Sequence, residues 1–243
     1  QFGGGGEVIK AMASGAVQVG EVGSAGIAAA VSRGEPLELF WILDDIGDAE
    51  ALVARKGSGI AKVADLKGKR IAMPFNSTTH FHTMVALDQA KINPADVKIL
   101  NMRPPEVRAA WQRGDIDATF IWDPVLAEAK KDGAVVITSG QITAATGKAT
   151  FDGYVANKDW AKANRDFMIK FVKVMADADA KYRDGGKNWK PDGAEVKAIA
   201  KWSGSKPEDV PAAIALYKFP GAKEQATTWL GGGKAAIAAK ALA

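Results

Sequence analysis

The chain has 243 residues, room for one large domain or two ordinary lobes, and 47% hydrophobic with 25% charged residues provide a sizeable globular core. Its 32 basic and 28 acidic residues leave a formal charge of +4 with no basic block or arginine stripe interleaved with aromatics, so nucleic acid is not an expected partner. Cysteine is absent, which excludes disulfides, thiolate metal ligands and cysteine nucleophiles, and no apolar run reaches the roughly 18 residues that span a bilayer.

In chain order, Glu7 to Gly15 reads as a short helix with a glycine stop, Val17 to Val19 as a strand, and Gly23-Ser24-Ala25 as the opening of a second helix. Pro36 to Leu43 and Ala51 to Ala54 are strand candidates. Arg70 to Phe75 is another, followed by a helix from Thr78 to Lys91. Lys98 to Asn101, Ala134 to Thr138 and Tyr154 to Ala156 supply further short strands. From Lys158 onward the pattern is almost wholly helical. Its clearest amphipathic stretch is Asp166 to Tyr182, with Phe167, Phe171, Val174 and Ala178 at helical spacing. Strands alternating with helices predict an α/β fold of mostly parallel sheets flanked by helices on both faces.

A displacement of 99 residues lays the chain on itself. Glu7 to Gly15 falls on Glu106 to Gly114, Val17-Gln18-Val19 on Ile116-Asp117-Ala118, and Gly23-Ser24-Ala25 on Trp122-Asp123-Pro124. Each copy reads as a helix, a glycine stop, a strand and a polar residue opening another helix. Gly15 and Gly114 suit the left-handed position after a helix, Ser24 and Asp123 the N-cap, and Pro124 the first turn. The alternative is chance similarity between two common helix–strand units. Two similar lobes would leave the strand at Arg70 without a counterpart, which would stand roughly 30 residues before residue 1. The expectation is that the sequence lacks its own first strand.

Ligands of open α/β sheets sit beyond the carboxyl ends of strands, where loops meet helix N-termini. Phe75-Asn76-Ser77-Thr78-Thr79-His80 is such a junction. Free amides and hydroxyls there suit a tetrahedral oxyanion, although the same residues serve an ordinary N-cap. The repeated junctions add Ser24, Trp122 and Asp123. Trp122 and Trp111 are expected to flank the cleft, Trp111 less securely because its repeat partner Met12 suits a core. Glu50 and Asp152 each precede an apolar strand at a crossing between the lobes, facing either solvent or the cleft. His80 and His82 stand two apart on a helix, the wrong spacing for a metal pair. Gly3 to Gly6 and Gly231 to Gly233 lack a following Lys-Ser/Thr, and no Gly-x-Ser-x-Gly occurs. No metal, cofactor or nucleophile is therefore expected.

Met12-Ala13-Ser14-Gly15, Val17-Gln18-Val19-Gly20, Gly23-Ser24 and Glu50-Ala51-Leu52-Val53 together resemble the solute receptors of sulfonate, nitrate and taurine importers. Gly68 to Phe75, Ser77-Thr78-Thr79-His80 and Ala110-Trp111-Gln112-Arg113-Gly114-Asp115-Ile116-Asp117 look like the taurine-binding branch, and the match runs from about Gly5 to Leu230. The resemblance implies a two-lobed periplasmic binding protein fold of type II, periplasmic or membrane-tethered outside the cell. It implies a monomer that closes on a small sulfonate and presents it to an ABC permease. Lobe I would comprise residues 1–53 and 152–243, and lobe II residues 54–151. The family's hydroxyls and helix amides that hold the sulfonate map onto Ser24, Ser77, Thr78 and Thr79. Its ammonium-binding carboxylate maps onto Asp152, with Glu50 the alternative. His80 and Asp123 complete the expected site. The family's first-strand loop has no counterpart here, its closing C-terminal helix looks shortened after Gly233, and Gly153 departs from a bulkier residue at the pocket floor. Other cargoes within this reading are alkanesulfonates, nitrate or a pyrimidine precursor. A rival from another class is a pyrimidine synthase of thiamine biosynthesis. Such enzymes look to use a cysteine-rich iron-binding motif, which this chain lacks.

Overall fold

The computed structural model describes residues 2–231; the expected shortening after Gly233 lies outside them. The chain runs through α1 (Gly5–Ala13), β1 (Val19–Gly23), α2 (Ser24–Ser32), β2 (Leu37–Asp45), β3 (Glu50–Arg55), β4 (Arg70–Met73) and α3 (Thr78–Gln89). It continues through β5 (Lys98–Asn101), α4 (Pro104–Arg113), β6 (Ala118–Trp122), α5 (Val125–Asp132), β7 (Gly133–Thr138), α6 (Ser139–Thr146) and β8 (Phe151–Asn157). Helices α7 (Lys158–Ala163), α8 (Arg165–Gly185) and α9 (Ala194–Ser203) follow. The strands form two sheets, ordered β1-β8-β2 and β5-β4-β6-β3-β7.

These sheets are mixed rather than mostly parallel. β8 runs antiparallel to both β1 and β2, and β3 runs antiparallel to both β6 and β7, whereas β4 pairs parallel with β5 and β6. One reversed strand thus lies inside each sheet. Both reversed strands are the segments that carry the chain across from the other lobe, so each enters its sheet at the carboxyl ends of its neighbours. Register follows from this. Glu50, at the start of β3, stands opposite Trp122 at the end of β6, and Asp152 stands opposite Gly23 and Asp44 at the ends of β1 and β2.

Cores form on the faces that alternation dictates. Along β3, Ala51 and Val53 turn to one apolar cluster and Leu52 and Ala54 to another, so the larger sheet is buried on both faces, as a helix-covered sheet must be. In the smaller sheet Val22, Ile42, Phe151 and Val155 pack against Val8, Ile9 and Met12 of α1 and Ile27 and Ala30 of α2. Gly15 and Gly114 take the expected left-handed conformation after α1 and α4. Three local expectations change. Pro124 holds the cap position of α5, which starts at Val125, so Asp123 stands ahead of the cap. Ser24 is the first residue of α2 rather than its cap, and Gly23 occupies the cap position. A Cβ at Gly23 would lie 2.9 Å from Thr78 Cγ2 and 3.1 Å from Asp152 Oδ1, so that close approach of the lobes requires glycine. In α8, Phe167 and Val174 are 47% and 65% exposed. The side turned inward follows the row Phe171, Met175, Asp179, one residue round the helix from the predicted stripe.

β2 is the edge of the smaller sheet, and its free backbone groups find a partner far along the chain. The buried Gln225 amide accepts from Ile42 N–H at 2.8 Å and donates to Ile42 C=O at 2.6 Å, as a neighbouring strand would. Gln225→Ala strands both buried groups, and we expect a loss of about 2–4 kcal/mol. A urea titration reads this as a lower midpoint at unchanged slope; a midpoint equal to the parent's would show that water replaces the amide without loss.

Candidate functional site

A cleft of about 720 Å³ opens between the sheets, where the carboxyl ends of β1 and β6 meet the N-termini of α3 and α5. Of the residues expected at a ligand site, Glu50, Ser77, Thr78, Trp122, Asp123 and Asp152 line it. So do Glu21, Arg108, Tyr154, Phe171 and Tyr217, which sequence reasoning did not single out.

The floor on the smaller sheet is acidic. Alternation along β8 sends Phe151, Gly153 and Val155 to the apolar side and leaves Asp152 and Tyr154 facing the cleft. Gly153 therefore does not shape the pocket. A Cβ there would lie 2.6 Å from Leu39 Cδ1 and 3.1 Å from the Trp41 carbonyl oxygen, which explains its small size. Directly opposed cross-strand residues share a face, which puts Glu21 beside Tyr154 and Asp44 beside Asp152. Asp44 is 4% exposed, and its Oδ1 has no hydrogen-bond partner. Glu50 is equally buried and accepts hydrogen bonds from the Thr78 hydroxyl and, at 3.1 Å, from the Ser139 hydroxyl.

Crowding these carboxyls together makes each reluctant to ionise. Burial, with the Asp152 charge beside it, pushes Glu50 up to about 8 against the pull of its two hydroxyl donors. Glu21 lines the cleft, where desolvation by its walls and then the Asp152 charge push it likewise to about 8. Burial raises Asp152 to about 6. Asp44 is held well above the usual carboxylate range by burial, then by Asp152, Glu21 and Glu50. The Tyr217 phenol is raised for the same reasons, by burial and by Asp44, Asp152, Glu50 and Asp123. Arg108, paired with Glu128 at 3.0 Å, is the one basic side chain among the described residues lining the cleft. No group of three or more His, Asp or Glu among the described residues is arranged to hold a metal ion.

On the larger-sheet side of the cleft, α3 presents its first turn. Ser77 caps it, accepting from His80 N–H at 3.2 Å and donating to the Pro74 carbonyl at 2.6 Å. Asn76 takes a left-handed φ of 60°, which Asn tolerates better than most residues. The first amides of the helix remain available to an anion. Thr79 and His80 do not line the cleft. Thr79 is fully buried with its hydroxyl 2.8 Å from Ser77 Oγ, and His80 stacks on Phe75 at 4.5 Å while accepting from Asn76 N–H. Both are consumed in building the turn. Ser24 is also off the cleft, its Oγ accepting from Phe151 N–H at 3.2 Å and so fixing the start of β8. Trp111 is core: it is 4% exposed, its indole N–H donates to Asp132 at 2.7 Å, and the Arg55 guanidinium lies 4.4 Å over its ring. Its repeat partner Met12 is core as well. Asp123 serves two ends, facing the cleft while accepting from Ala127 N–H at 2.8 Å.

Two of the missed residues were within reach of the sequence. Glu21 alternates with core Val22, and Tyr154 stands two beyond Asp152. Tyr217 carried no signal. It is delivered by a backbone bridge between Asp45 and Lys218, with N···O distances of 2.8 and 3.1 Å.

The family described as NMT1/THI5 like matches residues 1–182. The chain belongs to that family. It is 39% identical over 214 residues to the taurine-binding periplasmic protein of Escherichia coli K12, covering 88% of this chain and 66% of that protein. It is 30% identical over 181 residues to a putative aliphatic sulfonates-binding protein of the same organism, covering 74% of this chain and 56% of the relative. The alkanesulfonate-binding protein of Xanthomonas axonopodis pv. citri, solved with MOPS bound, superposes with a TM-score of 0.75 at 24% identity. That superposition covers 89% of this family member and 72% of the other chain, and establishes the two-lobed periplasmic binding protein fold. The chain thus spans a little under two thirds of the first relative's length and less of the second's.

Raised carboxyl values have a definite consequence for stability. Glu50 and Asp152 hold protons in the fold that they would release when unfolded, from ordinary values of 4.5 and 3.8 to about 8 and 6. Stability from these groups is complete below the unfolded values and is lost as pH rises through the folded ones. The melting temperature should fall between about pH 5 and pH 8, and Glu50→Gln should flatten that fall. Scanning calorimetry across the range checks it; a melting temperature that climbs over the same interval would contradict the acidic cluster.

Proposed function

We propose that this family member is the solute-binding receptor of an ABC importer, acting outside the cytoplasm, and that its cargo is a short aminosulfonate, taurine before others. What carries the reading is that the cleft holds both signs of recognition. Carboxylates gather on its floor, and Arg108 and the N-terminus of α3 supply the positive elements. Taurine needs both, since its ammonium stands two carbons from its sulfonate. Nitrate and plain alkanesulfonates carry no cation and would leave the carboxyls of the floor, Asp152 above all, without an ionic partner. In this reading the chain before β3 and from β8 onward forms one lobe and β3 to α6 the other, so the first crossing falls ahead of Glu50 rather than after residue 53. A monomer closes on its ligand and docks on the permease, and no bond is made or broken. The names of the two similar proteins, taurine-binding and aliphatic sulfonates-binding, support the same class of cargo.

The sulfonate takes the first amides of α3 at Ser77 and Thr78, with Arg108 as counter-charge and Trp122 against the alkyl chain. Its ammonium goes to Asp152, with Glu50 committed to Thr78 and Ser139 as a rear support. Two substitutions separate the ends. Asp152→Asn should weaken taurine by about 2–5 kcal/mol while leaving ethanesulfonate unchanged or tighter, because only the charge pair is broken. Arg108→Gln should weaken both sulfonates alike, by about 1.5–3 kcal/mol. Calorimetric titration of each variant with both ligands decides. Equal losses for the two ligands in Asp152→Asn would remove Asp152 from the ammonium role, and no taurine binding in the parent would remove the reading itself.

A further inference from the structure

The acidic floor holds more carboxyls than one ammonium needs, and the surplus is specific. β2 and β8 set Asp44 directly opposite Asp152 on the cleft-facing side, and Gly23, opposite Asp152 on its other flank, has no side chain to separate it from Thr78. Asp44 is nine-tenths buried or more, and its Oδ1 meets no donor. Two carboxyls in such a pair cannot both be charged without a cation between them. Among the described residues the charged groups acting on Asp44 are all acids, and its one backbone donor is the Asp152 N–H. Asp152 and Tyr154 come from β8, Glu21 from β1, Glu50 from β3 and Tyr217 from the segment before the Gln225 turn. Farther along α8, Asp179 is raised by burial and eased first by the Trp41 indole and then by Arg183.

We propose that Asp44 and Asp152 share one proton in the empty cleft and that a ligand's ammonium displaces it, so that capture of an aminosulfonate releases a proton to solvent. The inference rests on the receptor reading above and names a regulation of that site. The balance is simple: the ammonium brings one positive charge to the pair as the shared proton leaves for the buffer, and no other bond changes. Asp44 acts through Asp152 and is a positioning residue, deeper than the ligand. Its effect is to make the cleft reject cations in acid and accept them toward neutrality. Between the titrations of the free and the ligand-bound pair, taurine affinity should climb by up to about tenfold per pH unit. Ethanesulfonate has no ammonium to exchange, and its affinity should not climb with pH at all.

The test is calorimetric titration of the intact chain at about pH 6.5 in two buffers of very different ionisation enthalpy, phosphate and Tris, which reports protons released per ligand bound. Taurine should release about one proton and ethanesulfonate none. In Asp44→Asn the amide donates to Asp152 without titrating, so taurine should still bind while the release falls below about half a proton. A merely structural Asp44 would change affinity or melting temperature and leave the release intact, which overturns the proposal. Equal taurine heats in both buffers for the parent chain also overturn it, whether or not the variant folds, while leaving the receptor reading standing. Absence of taurine binding in either buffer overturns both together.

Discussion

Strand direction is the constraint on which the cleft depends. A parallel sheet presents its carboxyl ends and the following helix N-termini on one edge, which concentrates amides and partial positive charge there. Taken alone, that edge suits an anion. Here each lobe also contains one strand that enters from the cleft, β3 in the larger sheet and β8 in the smaller, so the first residue of each reversed strand is delivered to the same edge. In β3 that residue is Glu50; in β8 it is Phe151, and Asp152 follows it into the cleft. The topology therefore sets carboxyl groups among helix N-termini, through chain path as much as through residue choice.

Hydrogen-bond competition then sorts the polar residues of that edge. Ser77, Thr79 and His80 look from the sequence like a row of ligand donors, but a tight turn of this kind has its own groups to satisfy. The Pro74 carbonyl takes the Ser77 hydroxyl, His80 N–H takes the Ser77 oxygen, and Asn76 N–H takes the His80 ring. Thr78 is spent on Glu50, which in turn receives Ser139 from the start of α6. One buried carboxylate thereby ties β3 to the N-termini of two helices. The proposed recognition of an anion is then left to the first backbone amides of α3 and to Arg108.

The smaller sheet divides its two faces in an unequal way. One packs on α1 and α2 with apolar side chains, while the other carries Asp44, Glu21, Asp152 and Tyr154 under an aromatic row in which Phe171 meets Tyr154 at 5.2 Å and Phe40 at 5.7 Å. This is why α8 is rotated from its expected orientation. Its inward row must bring Phe171 to those rings and Asp179 to Trp41, and Phe167 and Val174 are left outside.

Local order was legible in the sequence. Period-two and period-3.6 patterns, glycine stops at Gly15 and Gly114, and the acids before two apolar strands all follow from short-range sterics and burial, which neighbouring residues decide between themselves. The repeat correctly paired Trp111 with Met12, and both proved to be core. Tertiary structure alone decided which side chains share the cleft. Strand direction put Glu50 and Asp152 at a carboxyl edge. Cross-strand register set Asp44 against Asp152, and a backbone bridge some 170 residues away in sequence, between Asp45 and Lys218, brought Tyr217 to the same floor. Register, crossing and competition for donors are properties of segments meeting in space, and a one-dimensional pattern holds no term for them.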